Sequence, residues 1–250
     1  MSITGDYHTH TKYSHGSGFI EDNVLAAVQK NLKEVGIADH GLSHVMYGVR
    51  RKNIKKMRAE TDELSARHNL KIYLGIESNI NGAGGHIDIS GKYRSDFDII
   101  LAGFHKFAMA HKFRDLFSLF YSSTHQTFFR RPTRNMLIRN TNAVVRAIID
   151  NPVAILTHIN YALAVDVKQV AQACADHGTL LELNGKRINL TPDQVGDILA
   201  TPVQLIVSSD AHSPEKVGDF GKPLSFIYQN KIPLERIANW NKVPVFRTGK

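Results

Sequence analysis

The sequence predicts an α/β fold in which seven β-then-α units close into one barrel. Short apolar runs alternate with amphipathic segments along the whole chain. Several runs are too continuously apolar to be strands with one solvated face, which is typical of parallel sheets covered on both sides. The expected strands are about Gly5–His8, Glu34–Ala38, Lys71–Ile76, Phe97–Gly103, Val153–Thr157, Thr179–Leu183 and Gln204–Ser208.

Amphipathic helices are expected between these strands. Asp22 is predicted to cap the first helix, which presents Val24, Leu25 and Val28 on its apolar side. An open, doubly wound sheet is the alternative fold, but no glycine-rich phosphate loop follows the first expected strand. The remaining helices are expected at about Asn53–His68, Asn135–Asp150, Val167–His177 and Pro192–Leu199.

The absence of a linker, a repeat or a low-complexity stretch predicts that residues 1–250 form a single barrel domain. One segment, about residues 107–134, is far longer than an ordinary βα connection and is expected to be an irregular insertion. It could be a lid, a nucleic-acid contact, a dimer contact or a helical hairpin that buries its phenylalanines. It contains the aromatic residues Phe107, Phe113, Phe117, Phe120, Tyr121, Phe128 and Phe129 and the basic residues Arg114, Arg130, Arg131 and Arg134.

Composition narrows the class of protein. With 42% hydrophobic and 22% charged residues the chain is typical of soluble globular proteins, and no apolar stretch approaches the ~20 residues that span a bilayer. The single cysteine excludes an internal disulfide, and the first residues do not resemble a signal peptide, so we expect a cytoplasmic protein without a membrane contact. The formal charge of +8 suits phosphates or nucleic acid, although an ordinary solvated surface also explains it.

Potential metal ligands follow six of the seven expected strands. Because the carboxyl ends of parallel barrel strands meet at one face, these side chains should share a pocket. Each one alone has an ordinary explanation, such as a structural histidine, a salt bridge or a turn, but the shared placement favours a site for several divalent ions. Such sites mostly serve hydrolysis. The candidate ligands are His8, His10, His15, His40, Glu77, His105, His158, Asp210 and His212.

The ligand candidates fall into the motifs His8-Thr9-His10, Asp39-His40-Gly41, Glu77, His105, Thr157-His158 and Ser208-Ser209-Asp210-Ala211-His212. In their order, these motifs resemble those of the PHP (polymerase and histidinol phosphatase) family of metal-dependent phosphoesterases, especially its small stand-alone phosphatases. The resemblance covers essentially the whole chain and implies a distorted (β/α)7 barrel with the metal site at the carboxyl ends of the strands.

The resemblance also implies three divalent metal ions. Zinc is the first choice, and manganese and iron stay open because nitrogen and oxygen ligands without a thiolate do not separate them. Asp6 and Asp39 precede ligand candidates and could orient imidazoles, or could simply be turn or cap residues. The implied groups of ligands are His8, His10, Glu77 and Asp210 for one ion, His15, His40 and His212 for a second, and Glu77, His105 and His158 for a third.

The activity implied is hydrolysis of a phosphate monoester of a small molecule by a metal-bound hydroxide. Glu77 and Asp210 would be catalytic in bridging metals and orienting the hydroxide, and Arg187, Arg51 and Lys106 would contact the substrate phosphate. A phosphodiesterase or exonuclease acting on nucleotides or single-stranded nucleic acid is the alternative. A metal domain kept for structure or binding is a third possibility. The sequence identifies neither the substrate nor the oligomeric state.

Overall fold

Seven parallel strands follow one another around the barrel in sequence order. The structure is a computed structural model that describes residues 2–89, 91–129 and 132–247. Each strand of the sheet pairs with the next one along the chain, so the predicted (β/α)7 barrel is confirmed. The strands are β1 (Gly5–Thr9), β2 (Glu34–His40), β3 (Lys71–Asn79), β4 (Ile99–Gly103), β5 (Ile155–Leu156), β6 (Leu180–Asn184) and β7 (Leu205–Ser208).

The first and last strands meet at what we call the seam, the contact between β1 and β7. At its upper end the backbone N–H of His10 donates to the carbonyl of Ala211 at 2.8 Å. Lower down, the side chain of Asn239 donates to the carbonyl of Gly5 at 3.0 Å and accepts from the backbone N–H of Val207 at 3.1 Å. Between β1 and β7 these bonds take the place of a regular row of strand-to-strand hydrogen bonds, and they nearly close the barrel.

Helices surround the strands. Four helices start and end within one residue of their predicted limits. No membrane-crossing helix is found among the described residues, because none is both long and apolar enough. The helices are α1 (Ile20–Gln29), α2 (Ile54–His68), α3 (Gly91–Arg94), α4 (Phe113–Asp115), α5 (Tyr121–Phe129), α6 (Arg134–Asp150), α7 (Val167–His177), α8 (Pro192–Leu199) and α9 (Gly221–Gln229).

The first helix corrects one prediction. Asp22 is not its N-cap, because α1 begins at Ile20 and Phe19 takes the cap position. The carboxylate of Asp22 accepts a hydrogen bond from the backbone N–H of Phe19 at 2.7 Å. An acidic side chain in the first turn therefore reaches back to the cap, which stabilises the start of the helix.

The segment predicted to be irregular is largely helical. Turns of π-helix at Leu116–Phe120 join α4 to α5, so residues 113–129 form one bent helical stretch. Phe113, Phe128 and Phe129 are exposed, which rules out a hairpin that buries these three rings. The side chain of Phe117 and the residues Arg130 and Arg131 lie outside the described part of the chain.

Strand register fixes which residues of neighbouring strands share the inner face of the barrel. His40 on β2 lies opposite Glu77 on β3, and Glu182 on β6 lies opposite Ile206 on β7. A small apolar cluster, which includes Leu101 and Ile206, fills the barrel on the same faces. A second and larger cluster packs the outer strand faces against the helices. The polar residues therefore stand on a packed interior at the carboxyl ends of the strands.

Candidate metal centre

Glu77 lies at the centre of a ring of imidazoles. Its carboxylate is buried, with 1% of the side chain exposed. The oxygens of Glu77 lie 2.8 Å from His40 Nδ1, 2.8 Å from His158 Nε2, 3.2 Å from His105 Nε2 and 3.3 Å from His8 Nε2. The third strand thus places one acid within reach of histidines from four other strands.

Asp210 forms a second focus, on the side of the site next to the seam. Its Oδ1 lies 3.3 Å from His10 Nε2, 3.4 Å from His212 Nδ1 and 3.8 Å from His8 Nε2. The Nε2 atoms of His8 and His10 are themselves 3.1 Å apart. Residues from both ends of the chain therefore meet in one pocket.

Among the described residues, three overlapping triads have donor atoms close enough to share an ion, each within 4.8 Å of one another. They contain seven of the nine predicted ligands, and His158 joins them through its 2.8 Å contact with Glu77. His15 lies at its edge, with its ring 5.1 Å from that of His212 and stacked on Tyr47 at 4.0 Å. The triads are His8, His10 and Asp210; His10, His40 and His212; and His40, Glu77 and His105.

Several buried atoms in this cluster lack a hydrogen-bond partner among the described residues, namely Glu77 Oε2, His10 Nδ1, His40 Nδ1 and His105 Nδ1. His40 Nδ1 and Glu77 Oε2 approach to 2.8 Å without the angles of a hydrogen bond. Buried polar atoms without partners cost free energy, about 1–3 kcal/mol each. Nitrogen and carboxylate donors arranged in this way fit divalent cations.

The charges of the cluster are set by burial and by mutual contact. Burial would raise the pKa of Glu77, but the imidazoles of His105 and His8 outweigh it and hold this pKa well below its usual value. Burial would lower the pKa of His8, yet Glu182 and Glu77 raise it well above its usual value. Without metal, the His8 ring is therefore protonated on both nitrogens, and an incoming cation would have to displace one of these protons.

Glu182, on β6, contacts two of the candidate histidines. Its Oε1 accepts a hydrogen bond from His8 Nδ1 at 2.7 Å, and both side chains are fully buried. Its Oε2 accepts from the backbone N–H of His158 at 3.0 Å and from Asn184 Nδ2 at 2.9 Å. Because Nδ1 of His8 donates to this carboxylate, Nε2 of the same ring is the atom presented to Glu77 and His10.

Asp6 and Asp39 hold loops rather than imidazoles. Asp6 accepts hydrogen bonds from the backbone N–H groups of Ser209 and Gly218, at 3.0 Å and 2.8 Å. Asp39 accepts from the backbone N–H and the hydroxyl of Thr11, at 2.7 Å and 2.6 Å. The interpretation that these carboxylates orient imidazoles is wrong, because among the described residues neither is bonded to a histidine ring. They fix the loops that carry the ligand candidates.

Two ligand candidates have a left-handed backbone, with φ of 28° at His158 and 54° at Asp210. Such conformations cost of order 1–3 kcal/mol in residues with a side chain and persist only where the surroundings enforce them. Glu182 bonds to the backbone of His158, and Asn184 Nδ2 lies 3.2 Å from Asp210 Oδ2. Contacts from β6 therefore help to hold both strained residues.

The cluster opens into a cleft of about 200 Å³. Lys106 and Arg187, two of the predicted phosphate contacts, line it together with Lys186. The third, Arg51, begins an exposed 3-10 turn after β2 and is not part of this lining. The guanidinium of Arg187 lies 4.1 Å from the centre of the Tyr161 ring. The cleft thus combines the cluster of histidines and two carboxylates with basic and aromatic walls.

Comparison with known proteins identifies the family of the chain. The model of the PHP domain matches residues 6–190. The chain belongs to the PHP family. Proteins from Shewanella sediminis and Shewanella loihica, both named "Probable phosphatase", are 30% and 29% identical over 96% of this chain and 90% of their own.

Among solved structures, the PHP chain resembles the histidinol phosphate phosphatase of Lactococcus lactis, described as a complex with zinc, L-histidinol and phosphate. The TM-score is 0.60, with 91% of this chain and 94% of that chain covered. At 13% sequence identity the likeness shows a shared fold.

Two residues of this PHP site were not assigned to the metal centre from the sequence. Glu182 was not among the candidate ligands, although an acid within the apolar run Leu-Leu-Glu-Leu indicates a buried polar partner. His44 was not among them either, but its ring is buried and stacks 5.0 Å from that of His40. Burial and the neighbouring His40 lower the pKa of His44 to about 4, so this ring is neutral at pH 7.

A glycine on β4 makes room for the site, which gives a first testable prediction. A Cβ at Gly103 would lie 2.3 Å from Thr157 Oγ1 and 2.7 Å from His158 Cε1. We expect Gly103→Ala to lower the free energy of unfolding by about 1–3 kcal/mol, because strands or side chains must shift. Urea denaturation would measure this.

The matched control is Gly196→Ala in α8, where a Cβ would meet nothing within 4 Å. There alanine should be neutral or should stabilise by up to about 1 kcal/mol. Equal midpoints for the two variants would show that the packing of Gly103 against His158 is not tight.

Proposed function

We propose that this PHP-family protein is a metal-dependent phosphomonoesterase that acts on a small phosphorylated molecule. The observation that carries the proposal is the buried Glu77 carboxylate, which four imidazoles approach while one of its oxygens lacks a hydrogen-bond partner. The relatives named as probable phosphatases support the same reaction. The cleft of about 200 Å³ suits a small substrate.

The centre would hold three divalent ions. Zinc is our first choice because the Lactococcus lactis protein of similar fold was solved with zinc, and manganese or iron would suit the same donors. When bound, such ions lower the pKa of water toward ~7 and neutralise charge on phosphoryl oxygens. The ions would be held by His8, His10, Glu77 and Asp210; by His15, His40 and His212; and by Glu77, His105 and His158.

The chain's own residues would orient the reactants. Glu77 and Asp210 face the cleft and would orient the attacking water, which is the catalytic role we assign to them. Lys106 and Arg187 would bind phosphoryl oxygens from the wall, and the planar guanidinium suits two of them at once. The turn that carries Arg187 is fixed, because Asn184 Oδ1 accepts from the backbone N–H of Arg187 at 2.9 Å.

Removal and return of metal tests the proposal. Protein treated with a chelator and freed of it should lose hydrolysis of p-nitrophenyl phosphate, and adding Zn²⁺ or Mn²⁺ should restore it. Turnover that survives verified metal removal would contradict the metal centre. The proposal of a monoesterase also requires p-nitrophenyl phosphate to be preferred over bis-p-nitrophenyl phosphate and single-stranded DNA, with weak salt dependence. A preference for the diester or DNA that falls steeply with salt would favour the exonuclease alternative.

A further inference from the structure

A second cleft adjoins the metal centre. It has a volume of about 370 Å³ and shares three wall residues with the first cleft, Lys186, Asp210 and His212. Lys216 and Lys222 also line it. Because the two clefts share a wall, one small molecule could occupy both.

The charges in this second cleft are unbalanced. Lys216 pairs with Asp219 at 2.9 Å. Within the described part of the chain, Lys186 and Lys222 have no carboxylate within ion-pair distance. The ammonium of Lys222 donates to the backbone carbonyl of Lys186, and Lys186 Nζ lies 3.2 Å from His212 Nε2.

Both ammonium groups line the cleft, and in the described part of the chain neither has a carboxylate partner. Each would gain from an anionic ligand, because hydrogen bonds between charged groups are stronger than those between neutral groups. Asp210 is engaged with His10 and His212 on the metal side, so it does not neutralise the lysines. The local potential should therefore attract an anion.

We propose that this lysine-lined cleft binds a second anionic group of the substrate, so that the preferred substrates are small molecules carrying two phosphates. One phosphate would be hydrolysed at the metal centre while Lys186 and Lys222, with Lys216 beside them, hold the other. The inference rests on the proposed function and adds the class of substrate to it.

The test is a series of alkanediol bisphosphates of increasing chain length, each compared with the alkyl monophosphate of the same length. The measured quantity is the ratio of kcat/KM for bisphosphate over monophosphate. We expect the ratio to pass through a maximum on the order of tenfold at one chain length, where the second phosphate reaches the lysines. Lys222→Gln and Lys216→Gln should each lower that maximum.

Lys168→Gln is the matched control, since Lys168 is exposed on α7 and lines neither cleft. It should leave the ratio unchanged. A ratio near one at every chain length, or a maximum that Lys222→Gln retains, would overturn the inference. Failure to hydrolyse p-nitrophenyl phosphate or any member of the series would instead contradict the proposed function.

A second phosphate can also belong to a nucleic-acid backbone. A short oligonucleotide with a terminal phosphate therefore forms a further arm of the experiment. We expect it to be a poorer substrate than the best bisphosphate. Faster hydrolysis of the oligonucleotide, with a steep loss on adding salt, would overturn the assignment of the cleft to small molecules.

Discussion

Glutamine in place of Glu77 is expected to abolish nearly all phosphatase activity, a loss of several orders of magnitude in kcat. The carboxylate lies within 3.3 Å of four imidazole nitrogens, and the substitution turns one acceptor oxygen into an amide donor. An amide nitrogen cannot hold a cation, so the centre should lose metal as well as the group that orients water. The measurements are hydrolysis of p-nitrophenyl phosphate and metal content by mass spectrometry.

Glu63→Gln provides the matched control, because it makes the same chemical change at an exposed position on α2. It removes only the surface pair with Arg67, which contributes little to stability. Metal content and turnover should stay at the wild-type level. A Glu77→Gln enzyme that binds its full metal complement and turns over normally would refute the placement of Glu77 at the centre of the site.

Glu182→Gln should weaken metal binding without any change in a direct ligand. Both oxygens of Glu182 are acceptors, one from His8 and the other from His158 and Asn184. In either orientation of the glutamine, its NH₂ group faces a donor: His8 Nδ1 in one orientation, and the backbone N–H of His158 with Asn184 Nδ2 in the other. We expect affinity for Zn²⁺ to fall by about 10–100-fold, as for other partners of ligating histidines. Competition with a chromophoric chelator measures this independently of activity.

The thermal midpoint of metal-free Glu182→Gln protein separates positioning from general destabilisation. A modest change in this midpoint together with a large loss of zinc affinity would support the role of Glu182 in orienting His8. An unchanged affinity would mean that the imidazole finds the same orientation without the carboxylate. If the substitution only destabilised the fold, the thermal midpoint of the metal-free protein would fall by a large amount.

The barrel and its ligand candidates could be predicted because both depend on local patterns. Apolar runs at regular spacing predict parallel strands, and the residue that follows a strand is placed by the strand itself. His40 and Glu77 lie opposite each other on the paired strands β2 and β3, so locating the ends of these two strands was enough to predict that they are close. The limits of the strands were less accurate: β5 is a two-residue strand, and β3 continues past Glu77 to Asn79.

What could not be predicted depends on partners far apart in the chain. Glu182 meets His8 across 174 positions, and no pattern near either residue shows this. The second cleft likewise needs the loop after β6 and the start of α9, a helix absent from the predicted elements. The helical form of residues 113–129 was missed because several of its aromatic side chains, Phe113, Tyr121, Phe128 and Phe129, are exposed and give no regular apolar face. How the ligands group around individual ions stays a prediction.

The seam has a consequence for how the protein is made. Histidines of the candidate centre come from β1 and from the loop that follows β7. Backbone hydrogen bonds of Ala211 with His10 and His8 hold these parts together. A nascent chain still lacking β7 has no partner for the edge of β1 and no Asp210 or His212. The loop after β7 must therefore be synthesised before a complete cation site can form, so the ions would be acquired only after β7 has been made.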